Sequence, residues 1–210
     1  ELKKMAEYPH FEQAIIELHQ LGLLAVIFPL LKPVGMEEIK RRISSYAAFP
    51  KECPPILYLM ELFPEASLEE QVELCHYLKV SNHNIKLVEL TDLVRLGKAD
   101  EWEDVDWARY YAKPNAQLCL EVVSARLSPE ERDFFLKKLL ERKKRLEGHI
   151  ARIASNKPLV TSADLKGEGI APSKRMGDLL QEAERISINE DLHQKEQVMA
   201  ILKKSPKWQQ

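Results

Sequence analysis

The stretch Gly169-Ile170-Ala171-Pro172-Ser173-Lys174-Arg175-Met176 opens a helical pattern with two cations. Unpaired backbone N–H groups and the macrodipole already make a helix N-terminus positive, so acidic residues are the usual choice there. Lys174 and Arg175 therefore cost helix stability unless an anion arrives from outside. For a helix starting at Pro172, the amides from about Ser173 to Arg175 would meet a phosphate oxygen, and a lysine or arginine side chain would complete the site. The turn from Gly167 to Ala171 can bring backbone close to such a ligand, because glycine has no side chain in the way. Gly177 costs its helix about 1 kcal/mol relative to alanine, so a neighbouring helix or a ligand is expected to approach it closely.

Charge along the chain supports an anionic partner. From Lys137 to Arg175 there are eleven Lys/Arg against four Asp/Glu, a net of +7 in a protein whose total is −2. The rest of the chain then carries −9, and such asymmetry points the basic part towards an anion. The residues expected to face it are Lys166, Ser173, Lys174 and Arg175, with Arg142, Lys143, Arg145 and Arg152 on the long helix before them. Aromatic side chains are sparse in this segment, so a nucleic acid would be held by backbone and shape, with little base reading. The competing reading is a helical protein–protein interaction module whose basic face is simply solvated. Its interface would be the apolar run Ile56 to Phe63 or the N-terminal helix.

Bond-making chemistry finds no support in the remaining residues. The six histidines form no pair with another His or Cys at a metal-ligand spacing, and adjacent Cys75 and His76 fall on different helix faces. Asp104-Val105-Asp106 has the form of a metal-binding DxD but sits in an acidic connector before a helix, where Asp106 reads as the cap. Gly167-Glu168-Gly169 lacks the third glycine, the strand and the lysine of a phosphate-binding loop. No catalytic residue, metal ligand or cofactor is assigned to this chain. Cys53, Cys75 and Cys119 are far apart and odd in number, which fits reduced thiols and a cytoplasmic setting. No apolar run is long enough to cross a bilayer.

Nearly every segment that could position these residues reads as helix, and the fold class is all-α with no sheet. Phe11, Ala14, Ile15, Leu18 and Leu21 share one face, and Pro29 and Pro33 end that element. Glu37 to Tyr46 reads as a second helix, and Ile56 to Phe63 as a third. Ser67 with Glu70 forms a capping box, Ser81 caps the next helix with Ile85, Val88 and Leu93 inward, and Gly97 stops it. Ser128-Pro129-Glu130-Glu131 launches one long helix through Phe135, Leu139, Leu146, Ile150 and Ile153. Thr161 and Asp164 box a short helix. The helix from Pro172 buries Met176, Leu179, Leu180 and Ala183, and Asn189 is expected to cap the last one. A boundary falls near Asn156.

Two stretches resemble a known family. Pro9-His10-Phe11, Leu18-His19-Gln20-Leu21-Gly22-Leu23-Leu24 and Ile27-Phe28-Pro29 are similar to the neck of bacterial class II tRNA nucleotidyltransferases (CCA-adding enzymes) and the related poly(A) polymerases. Leu30 departs from the acidic residue usual after that proline. Pro158-Leu159-Val160-Thr161, Asp164-Leu165, Gly169-Ile170-Ala171-Pro172 and Met176-Gly177-Asp178-Leu179-Leu180 resemble the family's tail motif, with Ser173 where glycine is common. The resemblance implies a division into the end of the neck (1–35), a helical body (36–155) and a helical tail (156–210). It implies tRNA as partner, held by body and tail. It also implies a catalytic head domain, absent before Glu1, that uses Mg2+ with CTP and ATP. The chain is then a fragment, inactive alone, of a nucleotidyltransferase.

Overall fold

A computed structural model describes residues 2–6, 8, 10–95 and 97–209; Pro9 of the neck-like stretch lies outside them. Among the described residues every regular element is helical, in agreement with the sequence. The chain divides into two compact units, Glu1–Ala99 with Gln117–Leu136, and Asp100–Ala116 with Lys137–Gln210.

The first unit holds α1 (Leu2–Met5), α2 (Phe11–Gln20), α3 (Leu23–Ile27), α4 (Met36–Ile43), α5 (Pro55–Met60), α6 (Leu68–Tyr77) and α7 (Asn82–Leu93). Nearly all of α9 (Ala116–Ser124) and the first part of α10 (Pro129–Arg145) complete it, with α8 (Asp104–Tyr111) assigned to the other unit. Its N-terminal signals form as the sequence dictates. Glu70 N–H donates to Ser67 Oγ at 3.2 Å, and Ser67 N–H donates back to the Glu70 carboxylate at 2.8 Å. Ser128 and Glu131 repeat the arrangement at the head of α10. Gly22 separates α2 from α3 at φ +72°, a left-handed conformation that disfavours any side chain. The core gathers Ile15, Leu24, Leu31, Ile39, Leu57, Leu62, Leu87 and Leu120.

Three expectations change here. Ile56, Leu57, Leu59, Met60, Leu62 and Phe63 are all buried, so the apolar run Ile56 to Phe63 builds the core and is no free interface. Leu21 does not join the inward face of α2. It follows the last helical turn and is 72% exposed. Leu93, at the end of α7, is also outward. Periodicity fixes a face only while the helix lasts, and both residues stand where it is ending.

The second unit holds α8 (Asp104–Tyr111), the end of α10, α11 (Glu147–Ala154), α12 (Ser162–Gly167), α13 (Lys174–Asn189), α14 (Lys195–Leu202) and α15 (Pro206–Gln209). Val160, Leu165, Met176, Leu179, Ala183, Ile186, Val198 and Leu202 form its buried cluster, and Trp208 packs on the edge. The long helix expected from Ser128 to Ile153 is two helices, interrupted at the buried Leu146 (φ −88°, ψ 3°). The bonds from Leu146 N–H to the Arg142 carbonyl and from Ile150 N–H to the Leu146 carbonyl survive, so helical bonding continues on both sides of the interruption. Among the described residues no helix is long and apolar enough to cross a membrane.

Candidate nucleic-acid interface

The second unit carries 18 Lys/Arg against 15 Asp/Glu, while the first carries 13 against 18. All eight sequence-nominated residues fall in the positive unit. Ser173, Lys174, Arg175 and Lys166 are exposed; Arg142, Lys143 and Arg152 are half-buried; Arg145 is exposed.

The helix mouth differs in detail from expectation. α13 starts at Lys174, two residues after Pro172, because Ser173 is extended and serves as its cap. Ser173 Oγ accepts from Met176 N–H at 3.4 Å and donates to the Ala171 carbonyl at 3.1 Å. That leaves the Lys174 and Arg175 amides without an acceptor among the described residues, the orphan donors of a helix start. Gly169, at φ +84°, provides the left-handed turn after α12. A Cβ at Gly177 would meet nothing within 4 Å. No neighbouring helix crowds that position, contrary to one of the two explanations for its glycine.

The cations divide by what already holds them. Lys143, Lys166 and Lys174 have no ion-pair partner among the described residues. Arg175 Nη2 donates to the Trp208 carbonyl at 2.6 Å, which leaves most of its donors open and ties α13 to α15. Arg142 stacks its guanidinium 4.2 Å above the Trp107 ring. Arg145 forms a two-pronged bond with Asp104, Nη2 to Oδ1 at 2.7 Å, and this holds the Asp104 carboxyl below its ordinary range. Arg152 donates to Ser187 Oγ at 2.9 Å and to His149 Nδ1.

Both aspartates of Asp104-Val105-Asp106 are likewise committed within the protein. Asp106 is not the cap of α8. It is the third helical residue, reaching back to accept from Glu103 N–H at 3.2 Å, and Glu103 is the cap. Asn189 does not cap α14, whose cap position is Gln194. It sits at the end of α13 and serves the mouth of α8, accepting from Val105 N–H at 3.0 Å and donating to Glu103 at 2.6 Å.

Sequence spacing missed one cluster. His149, Asp191 and His193 bring three potential ligand atoms within 4.8 Å of one another. His149 Nε2 stands 2.8 Å from Asp191 Oδ1, His193 Nε2 stands 3.3 Å from the same oxygen, and the two imidazoles stack at 4.8 Å. A guanidinium can only donate. Arg152 faces Nδ1 of both rings, so it takes up the Nδ1 lone pairs and leaves the protons on the Nε2 atoms that face Asp191. A metal would need those same Nε2 lone pairs, so the arrangement suits a hydrogen-bonded network. Burial pushes the His149 pKa down, while its bond to Asp191 opposes the shift and lowers Asp191 in turn. The two histidines are 44 positions apart, and nothing local in the sequence announces the pairing.

A search of curated proteins returns no match, and neither does a search of solved structures. A family model described as tRNA nucleotidyltransferase domain 2 matches residues 57–202, which takes in about half of the first unit and the whole basic segment. The chain belongs to the tRNA nucleotidyltransferase domain 2 family.

Proposed function

We propose that this chain is the RNA-holding part of a tRNA nucleotidyltransferase, the neck end (1–35), body (36–155) and tail (156–210) that grip tRNA while a separate head domain carries out CCA addition with Mg2+, CTP and ATP. The observation that carries the reading is the exposed mouth of α13, where two orphan amides, Ser173, Lys174 and Arg175 stand together inside the positive unit of a chain of this family. Lys166 and Lys143 add unpaired charge. Arg142, Arg145 and Arg152 contribute field and remaining N–H donors while bracing α8, α10, α11 and α13. A ribose–phosphate backbone is the ligand such groups suit, because orphan amides and guanidinium forks meet phosphate oxygens without reading bases. The chain by itself has no catalytic role in this reading, and its setting is the cytoplasm, where tRNA ends are finished.

The competing interaction module has one observation in its favour: Leu21, Val26 and Leu30 are 72%, 75% and 77% exposed. Light scattering combined with a titration of tRNA separates the two. Binding that weakens as salt rises supports the RNA reading, because counterions are released from phosphates. A tight oligomer indifferent to tRNA overturns it.

A further inference from the structure

The first unit is net negative, yet four of its 13 basic residues line one open groove of about 770 Å3. Arg41 and Arg42 come from the end of α4, Arg126 from the turn after α9, and Arg132 from the first turns of α10, with the hydroxyls of Ser44, Ser45 and Ser128 between them. Three of these guanidiniums are braced on one edge, Arg41 being well exposed, Arg126 partly exposed and Arg42 mostly covered. Arg41 gives Nε and Nη2 to Glu38, at 2.7 Å each. Arg42 gives Nε to Glu38 at 2.8 Å and Nη1 to the Leu62 carbonyl at 2.5 Å. Arg126 gives Nε and Nη2 to the buried Glu61 at 2.9 and 2.7 Å. Each retains N–H donors with no acceptor among the described residues.

Arg132 is the exception, and the informative one. Its Nε is buried and has no hydrogen-bond partner. Arg132 has no carboxylate partner among the described residues, and an anion in the groove it lines would supply the compensating charge. The groove's own lining has four arginines and one acid, Glu61, in a concave site where charge is focused, with Glu38 on Arg41 and Arg42, Glu65 near Arg41 and Glu131 on Ser128 outside the lining. Guanidinium forks fixed by carboxylates are pre-organised, so little side-chain entropy is lost when a ligand binds.

We infer that this groove is a second phosphate-binding surface, taking the ribose–phosphate backbone of RNA at a place distinct from the mouth of α13. It rests on the RNA-holding reading and adds a contact that the sequence did not nominate. Arginine forks suit a phosphodiester with two free oxygens. A free nucleoside triphosphate offers the same chemistry and is the alternative source that the test must separate.

The test titrates a fluorescent tRNA transcript against the full 210-residue chain at two salt concentrations. It compares the parent with Arg41→Gln/Arg132→Gln and with Lys174→Glu/Arg175→Glu, and repeats the titrations with ATP as ligand. The groove variant is expected to lose about tenfold in affinity and to flatten the salt slope by about 2, as removal of two phosphate contacts requires. Retained affinity and slope in that variant, with weakened binding in the Lys174/Arg175 variant, overturns the groove alone. A parent chain that binds no tRNA overturns both. A groove-dependent affinity for ATP with none for tRNA overturns the RNA assignment. Should circular dichroism show the double glutamine variant unfolded, Arg41→Gln/Arg132→Lys serves instead. It keeps one charge, loses both forks and is held to the same outcomes with a slope change of about 1.

Discussion

Arg145 and Asp104 lie 41 positions apart and meet through both guanidinium prongs, joining the C-terminal end of α10 to the first turn of α8. The pair removes an arginine from the freely available cations of the basic segment and makes it a brace.

The first prediction follows from that brace. Asp104→Asn should cost about 0.5–1 kcal/mol, the scale of a partly exposed ion pair, and should strengthen tRNA binding slightly by releasing Arg145. Urea unfolding and a tRNA titration check both. Because the Asp104 pKa is depressed in the folded protein, the pair's stabilisation is complete above the ordinary aspartate pKa and is lost as pH falls through the lowered value. A variant as stable as the parent, with weaker RNA binding, would contradict the assignment.

The imidazole cluster predicts a second pH dependence, of the same sign and in a different window. His149 is faced by Asp191, His193 and Arg152, and Arg152 is also held by the Ser187 hydroxyl. Its folded pKa is lowered, so the folded state binds fewer protons than the unfolded chain just below the ordinary histidine pKa of about 6.5. Stability should be full above that value and fall on acidification towards the lowered pKa. His149→Gln should lose about 1–3 kcal/mol at neutral pH, as expected for broken buried hydrogen bonds, and show a shallower slope between about pH 7 and pH 5. Unfolding followed by tryptophan fluorescence across that range gives the answer. An unchanged slope in the variant would sink the explanation.

These two pairings show where sequence reading reached its limit. The capping boxes at Ser67, Ser128 and Thr161 were legible because cap and partner are three residues apart, and a local pattern carries the whole interaction. The apolar spacing of Met176, Leu179 and Ala183 likewise gave the buried face of α13. Asn189 was misread because a side-chain amide at a helix end serves whichever amide the tertiary fold brings to it, here Val105, 84 positions away. The cationic charge near Lys174 could be counted in the sequence. Which cations were already taken could not, because Asp104, Trp107, Ser187 and Trp208 all reach the arginines through the fold.

Gly177 gives a third prediction. It is exposed on α13 with open space around it. Gly177→Ala should raise stability by about 1 kcal/mol, moving Tm up by about 2–4 °C in a chain of this size. If the open face is kept clear for RNA, the same variant loses tRNA affinity despite its higher Tm. Calorimetry alongside a tRNA titration reads the two effects separately. A gain in both would mean that the glycine serves no ligand.

Glu61 gives a fourth, in the other unit. Its carboxylate is nearly buried and accepts both prongs of Arg126, with Ser45 Oγ at 3.4 Å. Removing one partner of such a pair leaves a charge without its counterion. Glu61→Ala should therefore destabilise by about 2–4 kcal/mol, somewhat below a fully buried pair because Arg126 is partly exposed. Urea denaturation measures it, and a loss under about 0.5 kcal/mol would show that the pair behaves as a surface one.

The central claim is that the mouth of α13 grips the RNA backbone. Its most direct test is the affinity of the chain for a tRNA transcript, measured at about 50 and 200 mM salt with and without Lys174→Glu/Arg175→Glu. The account predicts salt-sensitive binding by the parent, and in the double variant a loss of about tenfold or more with a flatter slope. Equal affinity and equal slope in parent and variant would contradict it.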